Sequence, residues 1–173
     1  MADSSKGGIT WHSPDPRAII PLDAFRISRS LRRVIRRNIF EIRIDTAFGA
    51  VIQGCARRED TWISDQIIEA YTFLYSQGCA HSVESRLKGQ LVGGLYGVAI
   101  GGAFFGESMF SVVTDASKVA LVHLIEVLKL RNFMLLDTQF MNDHLKQFGA
   151  IEIPRSDYLK LLSEAVGQDA AFA

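Results

Sequence analysis

Only two cysteines, Cys55 and Cys79, occur in 173 residues. Their separation matches no CxxC motif, and two thiols cannot build a disulfide framework, so both read as reduced side chains of a core. Net charge is absent as well: Lys plus Arg and Asp plus Glu each total 19. The whole chain therefore offers no electrostatic footprint for nucleic acid, and any such footprint must be local. The longest charge-free run, Gln90 to Gly106, falls short of the roughly 20 residues of a membrane span and carries six glycines. Met1 to Gly8 has no basic stretch followed by an apolar one, so no secretory signal is visible and a cytoplasmic location is expected. The histidines, His12, His81, His123 and His144, are scattered without HxxxH or HExxH spacing, and no metal site is expected. No GxGxxG or GxSxG motif occurs, which argues against a dinucleotide site and a serine hydrolase.

What is present is the composition of a folded protein of one main domain, 48% hydrophobic with 14 glycines and 4 prolines. Asp23 is placed to cap a helix running to Arg37, with Ile27, Leu31, Val34 and Ile35 on one face. Phe40 to Asp45 alternates as a half-buried strand. Ala47 to Cys55 reads as a short helix, and Ser64 caps a second that stops at Gly78. His81 to Glu84 and Leu91 to Ala99 read as strands around a Lys88-Gly89 turn, followed by a hairpin through Gly101-Gly102 into Ala103 to Ser108. Lys118 to Leu130 is a helix, Met134 to Asp137 a buried strand, and Tyr158 to Leu162 a short helix capped by Ser156 or Asp157. This order predicts an α/β (α+β) fold, a mixed sheet flanked by helices. Residues 1–23 are expected as an extended N-terminal segment, 24–166 as the main domain with its basic helix at 25–37, and 167–173 as a disordered tail.

Three clusters carry chemistry. Arg26, Arg29, Arg32, Arg33, Arg36 and Arg37 fall in one segment with no acid between Asp23 and Glu41. Arg29, Arg33 and Arg36 share a helical face, a row suited to a phosphate backbone, to an anionic membrane surface or to plain solvent. Asp137 and Gln139 would project on one side of a strand end, either into a cleft or simply as polar residues where a strand stops. Glu107 follows a charge-free hairpin arm and needs a cation or a donor, be it an incoming amine, Lys118 or an arginine.

Nine blocks spread over most of the chain carry a resemblance. They are Trp11 to Arg17 (W-H-S-P-D-P-R), Ile27 to Leu31 (I-S-R-S-L), Ala47 to Cys55 (A-F-G-A-V-I-Q-G-C), Thr61 to Ile63 (T-W-I), Leu91 to Gly97 (L-V-G-G-L-Y-G), Gly106 to Ser111 (G-E-S-M-F-S), Ala116 to Lys118 (A-S-K), Asp137 to His144 (D-T-Q-F-M-N-D-H) and Gly149 to Arg155 (G-A-I-E-I-P-R). In this order they resemble the bacterial leucyl/phenylalanyl-tRNA–protein transferases. The resemblance implies an acetyltransferase-like domain that moves leucine, phenylalanine or methionine from aminoacyl-tRNA to the N-terminal amine of an acceptor protein, usually on arginine or lysine, marking it for degradation. It implies no metal and no cofactor.

Residue by residue, the resemblance assigns Asp137 and Gln139 to polarising and deprotonating the amine and Glu107 to contacting the acceptor N-terminus. Leu95, Phe104, Met109, Leu121, Leu124, Leu128 and Leu136 match the aminoacyl pocket. Trp62, with Tyr71 and Trp11, is assigned to the terminal adenosine, and Arg29, Arg33, Arg36 and Arg37 to the tRNA backbone. Only ten residues precede Trp11, so the family's G-I-F-P-W stretch has no counterpart, and His12 stands where a second tryptophan is usual. An acyl-CoA-dependent N-acetyltransferase is the rival of the same fold, although Ser111 to Lys118 lacks the glycines of a pyrophosphate loop. A tRNA-binding module without activity is the second rival.

Overall fold

The computed structural model describes residues 12–57 and 61–172. Its strands are β1 (Arg17–Ile19), β2 (Glu41–Ile44), β3 (Ala80–Leu87), β4 (Gln90–Ile100), β5 (Ala103–Ser111), β6 (Leu135–Gln139) and β7 (Ile151–Ile153). Its helices are α1 (Arg29–Arg36), α2 (Phe48–Ala56), α3 (Asp65–Ser76), α4 (Ala116–Leu130), α5 (Asp143–Lys146) and α6 (Arg155–Val166). Among the described residues the strands form one sheet in the order β2-β3-β4-β5-β6-β1-β7, antiparallel except for the β5–β6 pair. The expected mixed α/β class is the observed one.

Alternation along the strands divides the core. Leu95, Phe104 and Leu136 pack with α4, while Tyr96 packs with α2 and α3 on the opposite face. Leu135 and Ala103 meet Tyr158 and Ala165 of α6. The β3–β4 hairpin is closed by Lys88 and Gly89, both at positive φ, the two-residue geometry whose twist matches the strands it joins. Ser64 caps α3 as expected, its hydroxyl accepting from the Ile67 amide.

A buried carboxylate organises the α2 side. Glu84 is fully buried and accepts from the Thr46 hydroxyl at 2.5 Å, the Ser82 hydroxyl at 2.6 Å, and the Thr46 and Ala47 amides at 3.3 Å. Two of these donors stand just before α2, where backbone amides have no helical partner.

Four expectations need correction. The basic helix begins at Arg29 rather than near Ala24: Ser28 is its cap, and Leu22–Ala24 is a separate 3-10 turn. Tertiary contact holds the intervening segment extended, because Phe25 stacks on Phe148 at 5.5 Å and the Arg26 amide donates to the Phe148 carbonyl at 3.0 Å. Residues 17–19 are no appendage, since β1 lies between β6 and β7 inside the sheet. The stretch after 166 is anchored rather than loose. Phe172 is 4% exposed, stacked on His81 and flanked by Phe104 and Phe133. Finally, α6 spans Arg155–Val166, much longer than the expected turn and a half, with Pro154 at its N-cap position.

Candidate active site

The site is made by two local failures of strand pairing. In the β4–β5 ladder Tyr96 faces Ser108, but Gly97 faces Gly106, so Glu107 is an extra residue in β5. Such a bulge bends its strand and re-aims the side chain. Gly97 is required opposite it: a Cβ there would lie 2.3 Å from the Phe105 carbonyl oxygen and 2.4 Å from the Phe104 ring. The second failure is between β5 and β6, which pair only from Ala103–Leu135 to Phe105–Asp137. Beyond that point the strands part, and a cleft of about 910 Å³ opens between them.

The cleft lining is mixed. Leu95, Met109, Leu121, Leu124 and Leu136 supply apolar surface; Glu107, Thr138, Gln139, Asn142 and His144 supply polar groups, and Trp62 and Arg57 also border it. The Tyr71 phenol neighbours the Glu107 carboxyl, and the two groups shift each other's titration. Burial pushes the Glu107 carboxyl from 4.5 up to about 7; the Tyr71 phenol and Arg17 oppose the rise, and the charge of Asp137 adds to it. Burial first, and Glu107 second, raise the Tyr71 phenol, keeping it a donor. His144 moves the other way: burial and then the neighbouring Lys118 hold its imidazole below the usual histidine value, toward the neutral form.

Asp137 lies beneath the cleft, fully buried. Its Oδ1 accepts from Arg17 Nε at 3.0 Å and from the Gln139 backbone amide at 2.9 Å. Its Oδ2 accepts from Arg17 Nη2 at 2.6 Å and from the Tyr158 hydroxyl at 2.7 Å. Gln139 is therefore not the extended same-face neighbour of Asp137 that period two predicts. It has φ +60°, a left-handed conformation costing roughly 1–2 kcal/mol for a residue with a Cβ, and it joins Asp137 through its backbone. Gln139 itself borders the cleft.

Residues 19–163 match the family model described as Leucyl/phenylalanyl-tRNA protein transferase. The chain belongs to this family. A protein of that name from Herpetosiphon aurantiacus is 56% identical over 167 residues, spanning 96% of this chain and 87% of that one. Homologues of the same name from Gloeobacter violaceus and Chlorobaculum tepidum are 55% and 49% identical, each matched over 99% of this chain and over 89% and 91% of their own length. Among solved structures, a ribosomal-protein-alanine N-acetyltransferase from Brucella melitensis biovar Abortus 2308 aligns with a TM-score of 0.45 at 13% identity, over 64% of this chain and 88% of that one.

Of the residues singled out from sequence, Glu107, Gln139, Trp62, Leu95, Met109, Leu121, Leu124 and Leu136 converge on the cleft. Phe104 and Leu128 do not line it; both are completely buried in the core, Phe104 against Phe172 and over Gly97. Tyr71 does not line it either; its ring meets Tyr96 edge-on at 5.4 Å, and its phenol neighbours Glu107. Lys118 is paired with Asp115 at 2.8 Å rather than with Glu107. Trp11 lies outside the described residues. Arg29, Arg32, Arg33 and Arg36 border a shallow hollow of about 630 Å³ against Val122 and Glu126 of α4, the helix whose Leu121 and Leu124 wall the cleft; Arg37 follows as the exposed C-cap of α1.

Sequence reasoning missed Arg17 and Tyr158. Each is remote from Asp137 in the chain, by 120 and 21 residues, and only the position of β1 beside β6 brings Arg17 to it. The W-H-S-P-D-P-R block was the available signal. At the α4 N-terminus, where a pyrophosphate would dock, Asp115 occupies the cap position at φ +68°. Among the described residues no group of three or more His, Cys, Asp or Glu is placed to hold a metal ion, and no helix is long and apolar enough to cross a membrane.

The raised Glu107 value has a definite sign. The fold favours its neutral form, so its contribution to stability is complete below pH 4.5 and is lost as pH rises through about 7. A carbon-detected NMR titration of the Glu107 carboxyl should show a midpoint near 7. In Tyr71→Phe the midpoint should move higher, because the phenol favours the charged form of Glu107. A midpoint in the ordinary carboxylate range would refute this description.

Proposed function

We propose that the protein transfers leucine, phenylalanine or methionine from aminoacyl-tRNA to the N-terminal amine of acceptor proteins beginning with arginine or lysine, in the cytoplasm, as a mark for degradation. The observation that carries this reading is a single cleft lined both by apolar side chains and by Glu107 and Gln139. Such a cleft suits an apolar side chain with its ester carbonyl presented to an incoming amine. Family membership supports the same reaction class.

The chemistry asks little of the protein beyond placement. An aminoacyl ester is already activated: the amine attacks its carbonyl, the bond to the ribose oxygen breaks, that oxygen takes up a proton, and the amine gives one up. Holding the reactants in attack geometry supplies much of the acceleration, and the reaction calls for neither metal nor cofactor. Gln139, which borders the cleft, orients the attacking amine through its side-chain amide. Asp137 has its carboxylate oxygens occupied and acts by fixing Gln139 rather than by taking the proton itself. Glu107, once charged, offers its carboxylate to a cationic acceptor terminus. Trp62 at the cleft side suits stacking on the terminal adenine. The exposed arginines Arg29, Arg33, Arg36 and Arg37 are suited to the tRNA backbone, and α4 links their hollow to the cleft.

The test is single-turnover transfer from a mixture of aminoacyl-tRNAs to an arginine-starting peptide. Leucine, phenylalanine and methionine should transfer, helped by the adaptable Met109, since a hydrophobic pocket discriminates one methylene by only about 1–3 kcal/mol. Isoleucine and valine should be rejected because branching at Cβ thickens the side chain at its entry. Transfer of an acetyl group from acetyl-CoA, or efficient transfer of isoleucine, would overturn the assignment. Replacing Arg29, Arg33 and Arg36 together by Ala should weaken binding to all tRNAs alike and reduce the salt slope by roughly 0.7–0.9 for each phosphate that is no longer neutralised. An unchanged slope in filter binding would remove the helix from the interface.

A further inference from the structure

The carboxylate of Asp137 has about four lone-pair directions, and four donors fill them: two from Arg17, one from Tyr158 and one from the Gln139 backbone. Nothing is left over for an amine, and the group is completely buried. Of the Asp137–Gln139 pair, only Gln139 borders the cleft. Its left-handed backbone, unfavourable for a residue with a Cβ, is held by its amide's bond to Asp137.

The two outer donors are themselves clamped together. The Arg17 guanidinium stands 4.8 Å from the centre of the Tyr158 ring and is 13% exposed. Burial and the bond to Asp137 raise the Tyr158 phenol, so it remains a donor. The strand that carries Arg17 and the helix that carries Tyr158 are joined where they begin: the Arg155 amide donates to Asp15 Oδ1 at 3.1 Å, and Arg155 Nη1 donates to the Ser13 carbonyl at 3.1 Å.

We infer that Arg17 and Tyr158 are positioning residues for the transfer reaction: acting through Asp137, they fix the left-handed turn at Gln139 and so the direction of its amide in the cleft. The inference rests on the reading of Gln139 as the group that orients the amine. A bidentate fork sets both the distance and the plane of the carboxylate, and the phenol keeps the carboxylate from rotating about that fork.

The experiment is a double-mutant cycle on the single-turnover rate, at saturating leucyl-tRNA and arginine-starting peptide. Tyr158→Phe keeps the ring and its packing and removes only the hydroxyl. It should lower the rate about tenfold or more, with KM for both substrates within about twofold. In a Gln139→Ala background the same substitution should have no further effect, because there is no longer an amide to aim. Arg17→Lys, which keeps the charge and loses the fork, should fall at least as far and show the same coupling; it carries the test if Tyr158→Phe does not fold. Wild-type rates in both variants, or equal losses with and without Gln139, would overturn the inference. Full turnover by Gln139→Ala would instead refute the reading of Gln139 itself, and the two failures are told apart by that single variant.

Discussion

A charged group removed from water must be compensated by donors placed around it, and Asp137 is where this protein meets that demand most completely. An uncompensated carboxylate in the interior costs several kcal/mol, and breaking a buried pair by removing one partner typically costs about 3–5 kcal/mol. Four hydrogen bonds from β1, α6 and the backbone of β6 converge on one carboxylate. That requirement brings β1 between β6 and β7, draws α6 down onto β6, and turns the chain at Gln139. The apolar packing of Ile19, Leu135 and Tyr158 accompanies the same arrangement.

The cleft follows from what happens just beyond that anchor. β5 and β6 pair over three residues and then separate, so the polar end of β6 and the bulge of β5 face a common space. Two carboxyls near one another are placed in different environments. Asp137 is surrounded by donors, whereas burial without such a set of donors pushes Glu107 up to about 7. Pairs of titratable groups held in contrasting surroundings take contrasting roles. Here one carboxylate fixes geometry and the other is available to an incoming cation.

Much of this was legible in the sequence where local chemistry decides. The Lys88-Gly89 and Gly101-Gly102 turns, the Ser64 cap and the arginine row depend on neighbours a few residues away. Glu107 stood out because a lone acid after an apolar arm needs a partner. Long-range packing decided the rest. Phe25 and Arg26 carry a helical pattern but are recruited by Phe148, near the other end of the chain. Phe172 follows a small, polar stretch that signals a loose end, yet its ring completes the cluster at His81 and Phe104. Phe104 and Leu128 were indistinguishable from pocket residues by type, and only the register of β5 and the length of α4 send them into the core. The partner of Asp137 that period two suggests is a side chain; the partner found is the Gln139 amide, which no periodicity reveals.

Amide hydrogen exchange at Gln139, read residue by residue by NMR, measures the central claim directly. Gln139 ends a strand, where exchange is ordinarily fast, but its N–H points at a buried carboxylate 2.9 Å away. The account predicts exchange slowed at least about a hundredfold relative to an unprotected amide, comparable with the neighbouring core strand. Exchange at the rate of an open loop would mean that Asp137 does not hold this turn, and the link from buried carboxylate to cleft would be broken.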